Sequence, residues 1–101
     1  MIRITAVCGM GLGSGLLVKM GVERVLKRGG YSEREFAVEI ADISTARAMP
    51  TDIYVTTSEF SKQLGQVKAT IVEVKNLFSE KEIEAKLMEP YKEVRTAKGL
   101  K

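Results

Sequence analysis

Four short apolar runs, each followed by a helical or turn segment, constrain the fold of this chain more than any other feature of its sequence. They are rich in β-branched residues and have the length of buried strands. The runs are Ile2–Val7, Phe36–Ile40, Ile53–Thr56 and Ala69–Val74. Strands that alternate with helices imply a parallel sheet that is covered on both faces.

The segment after the first run predicts an amphipathic helix over Ser14–Arg28, because apolar residues recur at three- and four-residue steps until Gly29-Gly30 ends the pattern. The apolar positions expected to face the core are Leu17, Val18, Val22, Val25 and Leu26. We further expect a single helical turn within Asp42–Met49 and a short helix over Ser58–Gly65.

A last helix is predicted to begin at Ser79, because Ser79 and Glu82 fit a capping box in which the hydroxyl accepts from the N3 amide and the carboxylate accepts from the N-cap amide. Pro90 lacks a backbone donor and crowds the preceding turn, which predicts a kink or a stop near Glu89. The whole chain, residues 1–101, is expected to form one α/β domain. We predict a flavodoxin-like three-layer sandwich with helices on both faces of a four-stranded parallel sheet of order 2-1-3-4.

The composition excludes several chemistries. The 101 residues contain no histidine and one cysteine, so imidazole bases, Ser-His-Asp triads, an internal disulfide and a zinc or iron–sulfur cage are all ruled out. We therefore predict no metal site and no cofactor. The lone thiol is expected to be reduced, which indicates a cytoplasmic protein.

The charge is nearly balanced, with 16 Lys and Arg against 13 Asp and Glu. The excess lies in residues 91–101, where Lys92, Arg95, Lys98 and Lys101 are opposed by Glu93 alone. This tail is too small a basic patch for a nucleic-acid reader, and we expect it to serve solubility or weak contact with acidic surfaces. No run of apolar residues is long enough to enter a membrane.

The chemistry is predicted to lie in the segment from Cys8 to Ser14, where the first strand meets the first helix. Its glycines let successive backbone N–H groups point at one anion, with the helix N-terminus behind them. Such a field holds phosphate and also stabilises a thiolate, so Cys8 is the candidate nucleophile. The phosphate-binding candidates are Gly9, Met10, Gly11, Leu12, Gly13 and Ser14. The alternative is a tight turn beside a small buried thiol.

Other phosphate motifs fit less well. None of the glycines is followed by Gly-Lys-Ser/Thr at the Walker A spacing, and a dinucleotide fingerprint would place its third glycine at Ser14. A small cysteine phosphatase would have arginine six residues after the nucleophile, where this chain again has Ser14. Without that guanidinium the site is suited to holding and passing a phosphoryl group.

The opening IRITAVCGMGLGSG, together with Val55–Ser58 and Val74–Ser79, resembles the B subunit of enzyme II in the bacterial phosphoenolpyruvate-dependent sugar phosphotransferase system. Within that family the loop is most similar to the ascorbate-specific branch. The resemblance implies that Cys8 accepts a phosphoryl group from a histidine of the IIA subunit. It also implies that Cys8 donates this group to an ascorbate-like or related sugar bound by the IIC membrane subunit, beside which the chain would lie at the membrane periphery.

Three further residues are candidates for the same site. Thr57 and Ser58 follow the third strand and Lys75 follows the fourth, so all three are expected near the phosphate. For the hydroxyls of the Thr56–Ser58 segment we favour capping of the next helix, and for Lys75 a solvated side chain. Two other functions stay open, a small cysteine phosphatase and a non-enzymatic phosphate-binding or redox module.

Overall fold

The computed structural model describes residues 1–8 and 12–99, and for residues 12–14 the backbone alone. In this part of the chain, strands and helices alternate as the sequence predicts. The elements are β1 (Ile2–Val7), α1 (Leu12–Arg28), β2 (Phe36–Ala41), α2 (Ile43–Ala48), β3 (Ile53–Thr56), α3 (Ser58–Leu64), β4 (Thr70–Glu73) and α4 (Glu80–Ala97).

The four strands form one parallel sheet in the order β2-β1-β3-β4, which confirms the predicted topology. β1 is flanked by β2 and β3, with Ile4 opposite Val38 on one side and Ile53 on the other. Ligands of such sheets bind at the carboxyl ends of the strands, where the strand order reverses. Here that position lies between β1 and β3.

Two apolar clusters, one on each face of the sheet, confirm the three-layer arrangement. The larger cluster joins alternate residues of the strands to α1 and α4, and it includes Val18, Val22, Ile83 and Leu87, all fully buried. The smaller cluster packs α2 and α3 against the opposite face through residues such as Tyr54. Both clusters follow from the period of two in the strands, which sends successive side chains to opposite faces.

Helix α1 differs from the prediction at two points. It begins at Leu12, two residues earlier than expected, and Leu17 is 59% exposed and not part of the core. The other predicted core positions of this helix are buried. Leu17 lies at the edge of the apolar stripe, where neither the sheet nor α4 covers it.

A kink or a stop was predicted near Glu89, and the stop is wrong, because α4 continues through Pro90 to Ala97. Contacts beyond the proline outweigh its cost, which is about 3 kcal/mol in a helix interior. Tyr91 is fully buried and its hydroxyl donates to Glu35 Oε2 at 2.9 Å. Arg95 Nε donates to the same oxygen at 2.5 Å.

The basic tail is likewise part of the fold and does more than provide solubility. Arg95 forms an ion pair with Glu35, and both side chains are four-fifths buried. Lys98 Nζ donates to Asp52 Oδ2 at 2.9 Å and to the backbone carbonyl of Met1 at 2.6 Å. These contacts fasten the end of α4 to the amino end of the sheet.

Candidate functional site

Cys8 lies directly after β1, at the carboxyl end of an inner strand. Its amide donates to the carbonyl of Ala41 at 3.3 Å, so pairing with β2 extends as far as the cysteine. Cys8 is 6% exposed and belongs to the larger apolar cluster, on the face covered by α1 and α4. The strand thus fixes the backbone of the thiol-bearing residue at the position where parallel sheets bind ligands.

A buried hydroxyl supports the peptide that precedes Cys8. Thr56 Oγ1 donates to the carbonyl of Val7 at 3.1 Å, and Thr56 is fully buried. The carbonyl of Thr56 in turn accepts from the amide of Val74 at 2.8 Å. Thr56 therefore joins the ends of three neighbouring strands and does not cap α3. Sequence reasoning treated it as a capping hydroxyl, and the overlooked signal was its place as the last residue of a buried strand.

Thr57 follows β3 as Cys8 follows the adjacent strand β1. Ala6 is opposite Val55 and Val55 is opposite Val72, so the same register carried two residues further aligns Cys8, Thr57 and Val74. Neighbouring strands are about 5 Å apart, and side chains two residues apart share a face. Cys8 and Thr57 therefore follow the ends of two adjacent strands, at the carboxyl end of the sheet.

The three further candidates, Thr57, Ser58 and Lys75, line a single cleft of about 450 Å³. Lys86, which sequence reasoning missed, lines it as well, and Glu73 and Val74 complete its walls. Thr57 occupies the N-cap position of α3, but its side chain makes no capping hydrogen bond. The expectation that the Thr57 hydroxyl caps α3 is therefore wrong. Thr57 lines the cleft instead.

The carboxylate of Glu82 organises one side of this cleft. It accepts from the amides of Lys75 at 2.6 Å and Asn76 at 2.9 Å, and from Lys86 Nζ at 3.0 Å. These two amides, followed by the Lys86 ammonium, lower the pKa of Glu82 to about 2. The predicted capping box is half correct, because Ser79 Oγ does accept from the amide of Glu82 at 3.3 Å. The other half is wrong, because the amide of Ser79 donates to the carbonyl of Asn76 and not to the carboxylate of Glu82.

The predicted phosphate-binding segment is described only in part. Gly9, Met10 and Gly11 lie outside the described residues. Leu12, Gly13 and Ser14 form the first turn of α1, so Ser14 is the third helical residue and is not the N-cap. The first amides of a helix have no partner within it and carry the positive end of its dipole. Residues 12–14 therefore form the amino-terminal end of α1, and their role in binding phosphate stays a prediction.

Gly15 allows this first turn to lie close to the sheet. A β-carbon at this position would be 2.7 Å from Cδ1 of Ile40, which lies near the end of β2. A larger side chain would force α1 or Ile40 to move. Gly15 thus has a packing role in addition to its place in the glycine-rich segment.

The described residues contain no group of three potential ligands that could hold a metal ion. No described helix has the length and apolar character needed to cross a bilayer.

Comparison with known proteins agrees with this geometry. Residues 3–89 match the family described as "PTS system, Lactose/Cellobiose specific IIB subunit". The chain is also 36% identical over 92 residues to the ascorbate-specific PTS system EIIB component of Mycoplasma pneumoniae, an alignment that covers 85% of this chain and 90% of that protein. The chain therefore belongs to the IIB family of the phosphotransferase system, in its ascorbate-like branch.

Proposed function

We propose that Cys8 is the residue on which this IIB subunit carries a phosphoryl group. The position of Cys8 carries the proposal, because the chain's lone thiol lies after an inner strand and before the amino-terminal turn of α1. That is where a parallel sheet binds ligands, and where helix amides favour an anion.

The proposed reaction has two displacements at phosphorus. In the first, Cys8 Sγ forms a bond to the phosphorus of a phosphohistidine on the IIA subunit, the N–P bond breaks, and the thiol proton ends on the released imidazole. In the second, a hydroxyl oxygen of the sugar attacks the phosphorus, the S–P bond breaks, and the hydroxyl proton returns to the thiolate. No histidine of this chain takes part, since the chain has none.

The phosphoryl group would be held mainly by backbone amides. Gly9, Met10, Gly11, Leu12, Gly13 and Ser14 are the proposed binding segment, supported by the position of residues 12–14 at the start of α1. Thr57, Ser58 and Lys75 are proposed as a second wall, since they line the cleft that begins one strand away from Cys8. Lys86 adds a second ammonium to that wall, although it also contacts Glu82.

The partners in this proposal are a IIA phosphocarrier and a IIC membrane subunit with its bound sugar. The sugar is proposed to be ascorbate or a related compound, in line with the name of the Mycoplasma relative. The subunit would then work in the cytoplasm, at the periphery of the membrane transporter. It would bind neither nucleic acid nor a cofactor.

The test is intact-mass spectrometry after incubation with phosphoenolpyruvate and the upstream phosphocarriers, including IIA. We expect one phosphoryl group on the wild-type chain and none on Cys8→Ala. That variant retains Ser14, Thr57 and Ser58, so any phosphorylation that persists would place the group on a hydroxyl and refute the proposal. Turnover of an aryl phosphate by the isolated chain would instead favour the cysteine phosphatase.

A further inference from the structure

The loop between β4 and α4, residues 74–79, is held in place by the side chain of Glu82. Oε1 of this carboxylate accepts from the amide of Asn76 at 2.9 Å, and Oε2 accepts from the amide of Lys75 at 2.6 Å. Oε2 also accepts from Lys86 Nζ at 3.0 Å, one helical turn further along α4. A single carboxylate thus fixes the loop and an ammonium at the same time.

The loop restrains Glu82 in return. The amide of Glu82 donates to Ser79 Oγ at 3.3 Å, and the side chain of Glu82 is only 19% exposed. Within the loop, the amides of Phe78 and Ser79 donate to the side chain and to the carbonyl of Asn76. The carboxylate of Glu82 is therefore held by a loop that is itself closed by hydrogen bonds.

Lys86 depends on Glu82 for its own position. The Lys86 side chain is 45% exposed, and within residues 1–8 and 12–99 its ammonium has Glu82 as its one hydrogen-bond partner. A lysine carries its charge on a flexible four-carbon chain, so an exposed ammonium samples many positions unless a partner holds it. The contact with the restrained carboxylate keeps the ammonium at the wall of the cleft that Thr57 also lines.

The charged side chains around the cleft balance one another. Glu73, Lys75 and Lys86 line it, and with Glu82 they make two carboxylates and two ammoniums. The binding of an anion therefore depends on where each charge is held and not on a net charge. The carboxylate of Glu82 already accepts from three donors, whereas an ammonium has three N–H bonds, of which Lys86 directs one at Glu82. Lys86 can thus bind a second anion while it keeps its contact with Glu82.

The cleft lies at the end of the molecule where phosphoryl transfer is proposed. β4, which leads into the loop, is two strands from β1, about 10 Å at the usual strand spacing. Thr57 follows the strand between them and lines the cleft. Charge that develops on a phosphoryl group during transfer is stabilised best by donors that are held in place beforehand.

We propose that Glu82 is a positioning residue for phosphoryl transfer, because it holds the Lys86 ammonium where it binds the phosphoryl group. This assignment rests on the proposed function of Cys8. The amides of Lys75 and Asn76 and the Lys86 ammonium lower the pKa of Glu82 to about 2, so Glu82 stays ionised at neutral pH and takes no proton. Its loss is expected to slow the transfer step and to leave the binding of IIA unchanged.

The test is rapid-quench measurement of phosphoryl transfer from phosphorylated IIA to this chain at increasing IIA concentrations, at a temperature where all variants are folded. The variants are Glu82→Gln, Lys86→Met and the two combined. Glutamine has one acceptor oxygen where glutamate has two, so it cannot hold both loop amides and the ammonium. The matched control is Glu80→Gln, because Glu80 also lies in the first turn of α4 and pairs with Arg24 and Arg28, which do not line the cleft.

We expect the saturated rate to fall about tenfold in Lys86→Met and about as far in Glu82→Gln, which is less than the roughly hundredfold loss that follows removal of a direct oxyanion donor. The double variant should be no slower than Lys86→Met, since Glu82 acts through Lys86. The half-saturating IIA concentration should keep its wild-type value in every variant, and Glu80→Gln should also keep the wild-type rate.

A wild-type saturated rate in Lys86→Met would overturn the proposal even if Glu82→Gln failed to fold, because Lys86→Met leaves the bonds between Glu82 and the loop intact. Losses that multiply in the double variant, or an equal loss in Glu80→Gln, would also overturn it and would leave Cys8 as the phosphoryl carrier. Absence of phosphorylation in the wild type would instead refute the function of Cys8, and the role of Glu82 with it.

Discussion

Replacing Thr56 with valine tests whether the hydroxyl behind Cys8 positions the nucleophile. Valine has nearly the same shape, so the change removes little besides the hydrogen bond from Thr56 Oγ1 to the carbonyl of Val7. That carbonyl belongs to the peptide that joins Val7 to Cys8. Without the donor, the end of β1 loses its side-chain link to β3.

The expected cost in stability is modest. A buried neutral hydrogen bond contributes about 0.5–1.5 kcal/mol net, and an acceptor left unpaired in the interior costs about 1–3 kcal/mol. We therefore expect the free energy of unfolding to fall by about 1–2 kcal/mol. For a domain of this size, each kcal/mol corresponds to a fall in Tm of roughly 4–8 °C.

The fold offers a matched control in Thr5→Val. Thr5 is also buried in the sheet, and its hydroxyl donates to Thr51 Oγ1 at 3.0 Å. Urea unfolding should show a similar loss of stability in both variants. Transfer from phosphorylated IIA at saturating concentration should fall about tenfold or more in Thr56→Val, since small displacements of a reacting group are costly. It should be unchanged in Thr5→Val.

Equal transfer rates in the two variants, at temperatures where both are folded, would refute the reasoning. They would mean that Thr56 contributes stability alone and that the backbone pairing of Cys8 with Ala41 suffices to position the thiol. A loss of transfer in both variants would point to a general weakening of the sheet, which also contradicts a specific role for Thr56.

Two further predictions concern α4. The pKa of Glu82 is lowered to about 2 because two amides and Lys86 contact its carboxylate, so its stabilising contribution is present above its ordinary pKa of 4.5 and is lost as the pH falls toward 2. The difference in Tm between wild type and Glu82→Gln should therefore shrink across that interval, and a constant difference would contradict this explanation. Pro90→Ala restores a backbone donor inside α4, so urea unfolding should show a gain of about 1–3 kcal/mol, and an unchanged midpoint would mean that the proline carries no net cost there.

The strand positions and the sheet order could be predicted from the sequence because a short β-branched run is a local signal. The errors arose where distant residues decide the outcome. Pro90 did not end α4, because Tyr91 and Arg95 both contact Glu35, which is more than fifty residues away in the chain. No local pattern reports such a contact.

In the candidate site, too, local features could be predicted from the sequence, whereas features that depend on contacts between distant residues could not. Cys8 stands out in the sequence because it is followed by a run of glycines, and the fold places it where a ligand of a parallel sheet would bind. Leu17 was misplaced, because periodicity defines an apolar stripe without showing how far a neighbouring helix covers it. Lys86 lines the cleft because α4 packs against the sheet, and the spacing of residues in the sequence does not reveal this packing.

The hydrogen bond between Lys98 Nζ and the carbonyl of Met1 has a practical consequence. It places the first described residue and the end of α4 side by side at the amino end of the sheet, while Cys8 lies at the carboxyl end. An affinity tag or a fused protein attached at either position would therefore extend away from the thiol.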